Sequence, residues 1–599
     1  MRIMLRTLFL VLVAAGAGTL ASAAAHAAGD ADTNPAVEKL HALFESEWQR
    51  GLKENPVGAS YLGDRTYNDR LPDVSMEAIQ ASHEADKAAL QKLESIDRSA
   101  LPGDEQLNYD LFQWQLEDQI EGFKFHGYLM PLNQRGGIQT FDETQQSIRL
   151  ATEKDYRDWV ARLQAFGTYM DQTIALMKQG IAEGMVMPKV VMQRIPDQIA
   201  RQVVDEPQDS PFYKPFAERP EGIGEEAWSD IHDQGVAAIR DVVLPAYKRF
   251  QTFFDKTYLP ACRDTVGAWD LPNGREYYQY LARHFTTTDM TPEEIHKVGL
   301  EEVKRIHAQM EEIIKEVGFD GSFQDFLHYL RTDPKFYYKD PQELFDAYKV
   351  KAKTVDPHLV DLFGHLPRTP YGVKPIPDAT APDTTTAYYM QPAADGSRAG
   401  YYYVNLYKPE TRPKYEMDVL TTHEAVPGHH LQIALAMELK DLPKFRRFGG
   451  ETAFVEGWAL YSESLCEKVG LCQDPYTRFG QLTYDMWRAV RLVVDTGMHY
   501  MKWSRQDAID YFKKNAAKTD QDIVNEIDRY IAWPGQALAY KIGQLRIMAL
   551  KAKAKKELGG DFDIKAFHDT VLGNGAVPLK VLDRIVNDWI AEQKAKESS

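Results

Sequence analysis

Cysteine is scarce in this chain: Cys262, Cys466 and Cys472 are the only three among 599 residues. So few exclude a disulfide scaffold, which a chain of this size does not need. No CxxC spacing offers a thiolate metal site. Basic residues are outnumbered, 70 Lys and Arg against 88 Asp and Glu, for a formal net charge of -18. That balance excludes a phosphate-neutralising surface for nucleic acid. Beyond the first residues no apolar run is long enough to cross a bilayer, so stable membrane insertion of the mature chain is not expected. There is no 20–50-residue repeat and no low-complexity tract.

What is present begins with MRIMLRTLFLVLVAAGAGTLASAAAHAAGDAD. Two early arginines precede an apolar core, Leu8 to Ala15, that is too short for a membrane anchor. Ala25-His26-Ala27 fits a small-x-small cleavage site, which makes residues 1–27 a signal peptide and sets the mature start near Ala28. No cysteine follows the apolar stretch, so a lipid anchor is not indicated. Loss of Arg2 and Arg6 takes the formal charge from -18 to -20. The protein reads as secreted, most simply periplasmic. In that oxidising compartment Cys466 and Cys472, flanking a turn at Gly470, could pair in a local structural disulfide, which would leave Cys262 as a buried odd thiol; the sequence leaves open whether they do.

The rest is patterned for helix. VEKLHALFESEWQRGLKE and DYRDWVARLQAFGTYMDQTIALMKQGIAEG repeat apolar residues at helical intervals, and Glu225 to Phe254 predicts another long helix. Thr291-Pro292-Glu293-Glu294 has a capping hydroxyl, an early proline and early acids, as a helix start requires. Between Leu366 and Pro382 the prolines exclude regular helix. TTTAYYMQP and AGYYYVNLY, separated by AADGSR, then predict a hairpin. An exposed strand edge there would align a peptide through its backbone, which makes Tyr403 and Asn405 candidate substrate contacts. The expected fold is mainly α: an N-terminal helical lobe over 28–270 and a helical catalytic lobe over 271–599, around a deep cleft, with the hairpin near the site.

The chemistry concentrates in TTHEAVPGHHLQIALAMELK, residues 421–440. A His-Glu pair followed a turn later by His lets two imidazoles bind a metal while the adjacent Glu serves as general base. Here His429 and His430 lie six and seven positions after His423. In a straight helix residues seven apart stand about 10 Å apart along the axis, too far for one zinc. Pro427 and Gly428 supply the break that would bring one of them back. In ETAFVEGWALYSE, Glu456 would complete a two-His, one-Glu zinc site. Glu463, seven residues on, would orient a ligand histidine from behind.

HEAVPGHH, FVEGWALYSE and PGQALAYKIG resemble the bacterial family catalogued as domain of unknown function 885, over most of the mature chain. More distantly they resemble the helical gluzincin peptidases, namely thermostable carboxypeptidases, oligopeptidases and angiotensin-converting enzyme. The carboxypeptidase resemblance implies that His430 is the second ligand, with His429 as the alternative carried by Gly428-His429. The oligopeptidase resemblance implies that Tyr540, in Gly535-Gln536-Ala537-Leu538-Ala539-Tyr540, stabilises the oxyanion. The histidine those enzymes place before that glycine is missing, and His499 is the candidate substitute. The implied activity is zinc-dependent hydrolysis of short peptides, with His423, His430 (or His429) and Glu456 on Zn2+ and Glu424 as general base. The rivals are a metallohydrolase of non-peptide amides or esters, and an inactive periplasmic binding protein.

Overall fold

The computed structural model describes residues 34–378, 381, 385–393, 396 and 398–597; the expected signal peptide lies outside them. The fold is mainly α. The described residues form two compact units, one running to Asp264 and including Pro443–Gly449, the other made of Thr265–Leu442 and the residues from Gly450 onward. Among the described residues no helix is long and apolar enough to cross a membrane.

The first unit opens with α1 (Pro35–Glu54), where Asn34 caps the N-terminus by accepting from Ala36 N–H and proline occupies the first turn. It packs with α2 (Met76–Glu94) and α3 (Gly103–Phe123) around Leu40, Leu43, Phe44, Leu93, Phe112 and Leu116. Phe445 joins this core, its ring 4.9 Å from Phe44 and 5.1 Å from Phe112. The long α4 (Glu153–Glu183) starts at a Thr152–Asp155 capping box and stops at Gly184, whose φ of 73° ends helices cheaply. The helix predicted over 225–254 is present with two interruptions. Wider π turns at Ile239–Val243 and Phe254–Tyr258 separate α5 (Glu225–Ala238) from α6 (Leu244–Phe253) and α6 from Leu259–Ala261. Each lies just ahead of a proline, Pro245 or Pro260, which cannot donate to the turn before it. Cys262 is buried, and burial pushes its thiol up to about 12.

In the second unit α7 (Pro292–Glu316) begins at the Thr291–Glu294 capping box. A three-stranded sheet follows: β1 (Tyr371–Pro375), β2 (Ala387–Met390) and β3 (Gly400–Val404), in the order β1-β3-β2. β2 and β3 pair antiparallel, as the hairpin pattern predicts, and β1 adds to β3 in parallel. Proline-rich sequence around β1 hid that strand. Tyr402 and Val404 anchor the sheet in a core with Met417, Leu420 and Tyr484.

The helices that carry the chemistry come next: α8 (Lys414–Glu424), α9 (His429–Glu438), α10 (Thr452–Glu463), α11 (Pro475–His499), α12 (Asp520–Ala532) and α13 (Leu538–Leu558). Glycines let them cross at backbone distance. A Cβ on Gly543 of α13 would lie 1.9 Å from the Ala453 carbonyl of α10. The pairing that the sequence leaves open is present: a Cys466–Cys472 disulfide closes the turn after α10.

Candidate metal centre

The His-Glu helix does not bulge; it stops. α8 ends at Glu424, residues 425–428 turn, and α9 begins at His429. Pro427 cannot continue the first helix. Its carbonyl instead accepts from Trp458 Nε1 at 2.8 Å and Ser462 Oγ at 3.2 Å, which fastens the turn to α10. Gly428 is required by close approach, since a Cβ there would meet the His423 carbonyl at 1.9 Å.

This turn swings His429 back onto His423. Their ring centroids are 4.8 Å apart and the planes perpendicular. α10 brings Glu456 beside both, with Oε2 3.5 Å from His429 Nε2 and 3.9 Å from His423 Nε2. The three potential ligand atoms all lie within 4.8 Å of one another. Around one tetrahedral zinc, bonds of about 2.0–2.2 Å would place such atoms roughly 3.3–3.5 Å apart. Small side-chain movements close the difference. Glu456 Oε2 is buried with no hydrogen-bond partner among the described residues, an orphaned acceptor that a cation would satisfy. The residues therefore fit zinc.

The surroundings are polarised. Burial pushes His423 well below its ordinary value, and the charges of His429, Arg488 and Arg491 add to this. Burial also depresses His429, but Glu456 and Glu424 outweigh it and the net shift is upward. Glu456 is raised by burial and lowered further by His429, Arg529 and Tyr540, so it stays a carboxylate. Glu424 is held above the usual range, mainly by burial. Behind His423, its Nδ1 lies 2.8 Å from Glu463 Oε1, and Arg488 lies 3.3 Å from the same oxygen. Burial pushes Glu463 up to about 8. His429 Nδ1 has no hydrogen-bond partner among the described residues. Glu424, His429 and Glu456 keep partial exposure while His423 and Glu463 are buried.

A family model described as bacterial protein of unknown function (DUF885) matches residues 56–586. The chain belongs to the DUF885 family. Among solved structures it is similar to "the putative lipoprotein from Colwellia psychrerythraea", at 30% identity and a TM-score of 0.87, over 94% of this chain and all of that one. It also shares the fold of a "putative lipoprotein of unknown function from Shewanella oneidensis", at 17% identity and a TM-score of 0.69, over 92% of this chain and 99% of that one. No curated protein matches it.

In this DUF885 chain the expectation of His430 as second ligand is corrected. His430 faces the sheet: Nδ1 is 2.9 Å from Tyr389 Oη and Nε2 is 3.1 Å from the Thr369 carbonyl. Both ring nitrogens are occupied, and burial holds the ring neutral, down to about 4. His429, the alternative, is the one beside His423 and Glu456. Three further candidates lie elsewhere. His499 is buried, with Nδ1 accepting from Ala268 N–H at 3.0 Å and Nε2 donating to the Tyr530 carbonyl at 3.0 Å, so it braces the fold. Asn405 is buried and donates to the Ala381 and Thr385 carbonyls. Tyr403 sits on the central strand, whose backbone is paired on both sides.

Tyr540 does reach the site. Its hydroxyl accepts from Arg529 Nη2 at 3.0 Å and lies close enough to Glu456 to lower that carboxyl. Two residues carried no signal in the sequence. Arg529 matches no motif and lies 11 positions before Tyr540. Tyr389 belongs to the other half of the hairpin, and its backbone lies close enough to Glu424 to lower that carboxyl.

That last contact follows from the ladder. Asn405 N–H donates to the Thr386 carbonyl at 3.0 Å, which makes them a hydrogen-bonded pair. Pairs alternate along an antiparallel ladder, so Tyr389, opposite Tyr402, turns its N–H and C=O away from β3. The outer edge of β2 thus faces Glu424.

Proposed function

We propose that this protein is a zinc-dependent hydrolase that cleaves peptide bonds of short peptides outside the cytoplasm. One observation carries the proposal: His423, His429 and Glu456 converge to within 4.8 Å, with Glu424 directly after the first ligand. Two imidazoles and one carboxylate suit zinc best among common divalent ions. Bound there, zinc supplies Lewis acidity toward water and the reacting carbonyl.

The protein's own groups do the rest. Glu424, raised by burial, takes a proton from water and passes it to the leaving amine. The Tyr389 backbone lies beside that carboxylate and lowers it. Because Arg529 donates to Tyr540 Oη, the tyrosine's own hydrogen is left to donate, either to Glu456 or to an oxygen gaining negative charge. Glu463 keeps His423 in the tautomer with Nε2 free. The strand edge beside Glu424 favours an extended peptide over other amides or esters. The leader sequence, the Cys466–Cys472 disulfide and the lipoprotein designations of the two similar structures support a location outside the cytoplasm.

The test is metal content and hydrolysis of a mixed short-peptide library, wild type beside Glu424→Gln. We expect about one zinc in both proteins and a loss of roughly 10²–10⁴-fold in turnover for the variant. Zinc without peptide cleavage would move the substrate to other amides or esters. No metal after reconstitution would leave the binding-protein alternative.

A further inference from the structure

The sheet beside the site has a second face. Tyr371, Val373, Ala387, Tyr389, Tyr402 and Val404 point one way, toward the core and His430. The opposite face carries a cross-strand row, Lys374 opposite Tyr403 opposite Tyr388. Tyr388 and Tyr403 stack at 4.9 Å with planes 14° apart. Tyr401 meets Tyr403 at 6.1 Å, and Lys374 Nζ stands 3.7 Å from the Tyr401 ring centre. A sheet face packed in a core would be aliphatic and buried; this one is aromatic and half-exposed.

Tyr388 ends the row on β2, whose outer edge faces Glu424. An extended peptide laid along that edge becomes the next strand. Side chains directly opposite on one face of a sheet are neighbours, so the peptide residue opposite Tyr388 continues the row. The residue opposite Tyr389 lies nearest Glu424, which puts the one opposite Tyr388 within two residues of the scissile bond.

We propose that Tyr388, backed by Tyr403, is a specificity subsite that selects peptides with an aromatic side chain beside the cleaved bond. The proposal rests on the peptidase reading and adds the substrate class. An offset-stacked aromatic pair is favoured over an aliphatic contact of the same area.

The experiment uses full-length, zinc-loaded protein and matched peptides that differ only by Phe or Ala at each position flanking the cut. Wild type is compared with Tyr388→Ala and Tyr388→Phe. Binding of the same peptides is measured in the Glu424→Gln background. We expect wild type to favour Phe at one such position by roughly fivefold in kcat/KM, the Phe variant to keep the preference, and the Ala variant to lose most of it. The Glu424→Gln protein should show the same ratio in Kd. Cleavage without an aromatic preference, or with one that survives Tyr388→Ala in a folded protein, overturns the subsite and leaves the peptidase standing. A Tyr388-dependent binding preference without cleavage sustains the subsite and sinks the peptidase. Neither binding nor cleavage of any peptide sinks both.

Discussion

At the scale of single residues, two adjacent histidines have opposite duties. Neighbours on a helix point about 100° apart, so one turn of chain decides which faces Glu456. The His-Glu pair, Glu456 and Glu463 were legible in the sequence because ligand, base and supporting carboxylate need fixed residue types. The choice between His429 and His430 was not, because it depends on the backbone angles of residues 425–428. His429→Ala should abolish stoichiometric zinc binding, whereas His430→Gln should retain it; metal analysis after dialysis separates them, and the reverse pattern would restore His430 as the ligand. Glu463→Gln keeps the size and removes the carboxyl group behind His423. It should weaken zinc 10–100-fold, read by competition with a chelator; an unchanged affinity would reduce Glu463 to packing.

At the scale of elements, the site depends on how closely two helices approach. Glu456 on α10 reaches Tyr540 on α13 because Gly457 and Gly543 let the backbones touch, a Cβ on Gly457 falling 2.5 Å from Gly543. Gly543→Ala forces a methyl against the Ala453 carbonyl, and neither backbone can give way locally. We expect it to cost about 1–3 kcal/mol, as overpacking does, in urea unfolding monitored by tryptophan fluorescence. A loss below about 0.5 kcal/mol would mean that the crossing is loose. The helices were readable from their periodicity, and β2 and β3 from their tyrosines. β1 was not, since its pairing comes from β3 and not from its own sequence, and the edge of β2 could only be told from its centre once β1 was seen on the other side.

For the whole molecule, one buried carboxyl shapes stability against pH. Asp495 on α11 accepts from Tyr278 Oη and from Gly535 N–H, and its second oxygen is unpartnered among the described residues. Unfolded, it titrates near pH 4; burial pushes it up to about 7 in the fold, against hydrogen bonds from Tyr278 and Gly535 and the charge of Arg491. Between those values the folded protein holds a proton that the unfolded chain has lost. Its stabilising contribution is therefore complete below about pH 4 and is lost as the pH rises to about 7, by up to about 1.4 kcal/mol per pH unit. Asp495→Asn keeps an oxygen for both donors and should flatten that stretch in a pH series of unfolding midpoints; a slope identical to wild type would exonerate Asp495.

The seven residues Pro443–Gly449 belong to the first unit yet follow 178 residues of the second, 265 to 442. Phe445 sits against Phe44 and Phe112, Lys444 lies 2.9 Å from Glu45, and Arg446 donates to Asn108 at 2.7 Å. During synthesis the unit begun first is thus not complete until 178 residues of the second have been made. Its aromatic seat stays empty until residue 449 has left the ribosome, after His423 and His429 have been made.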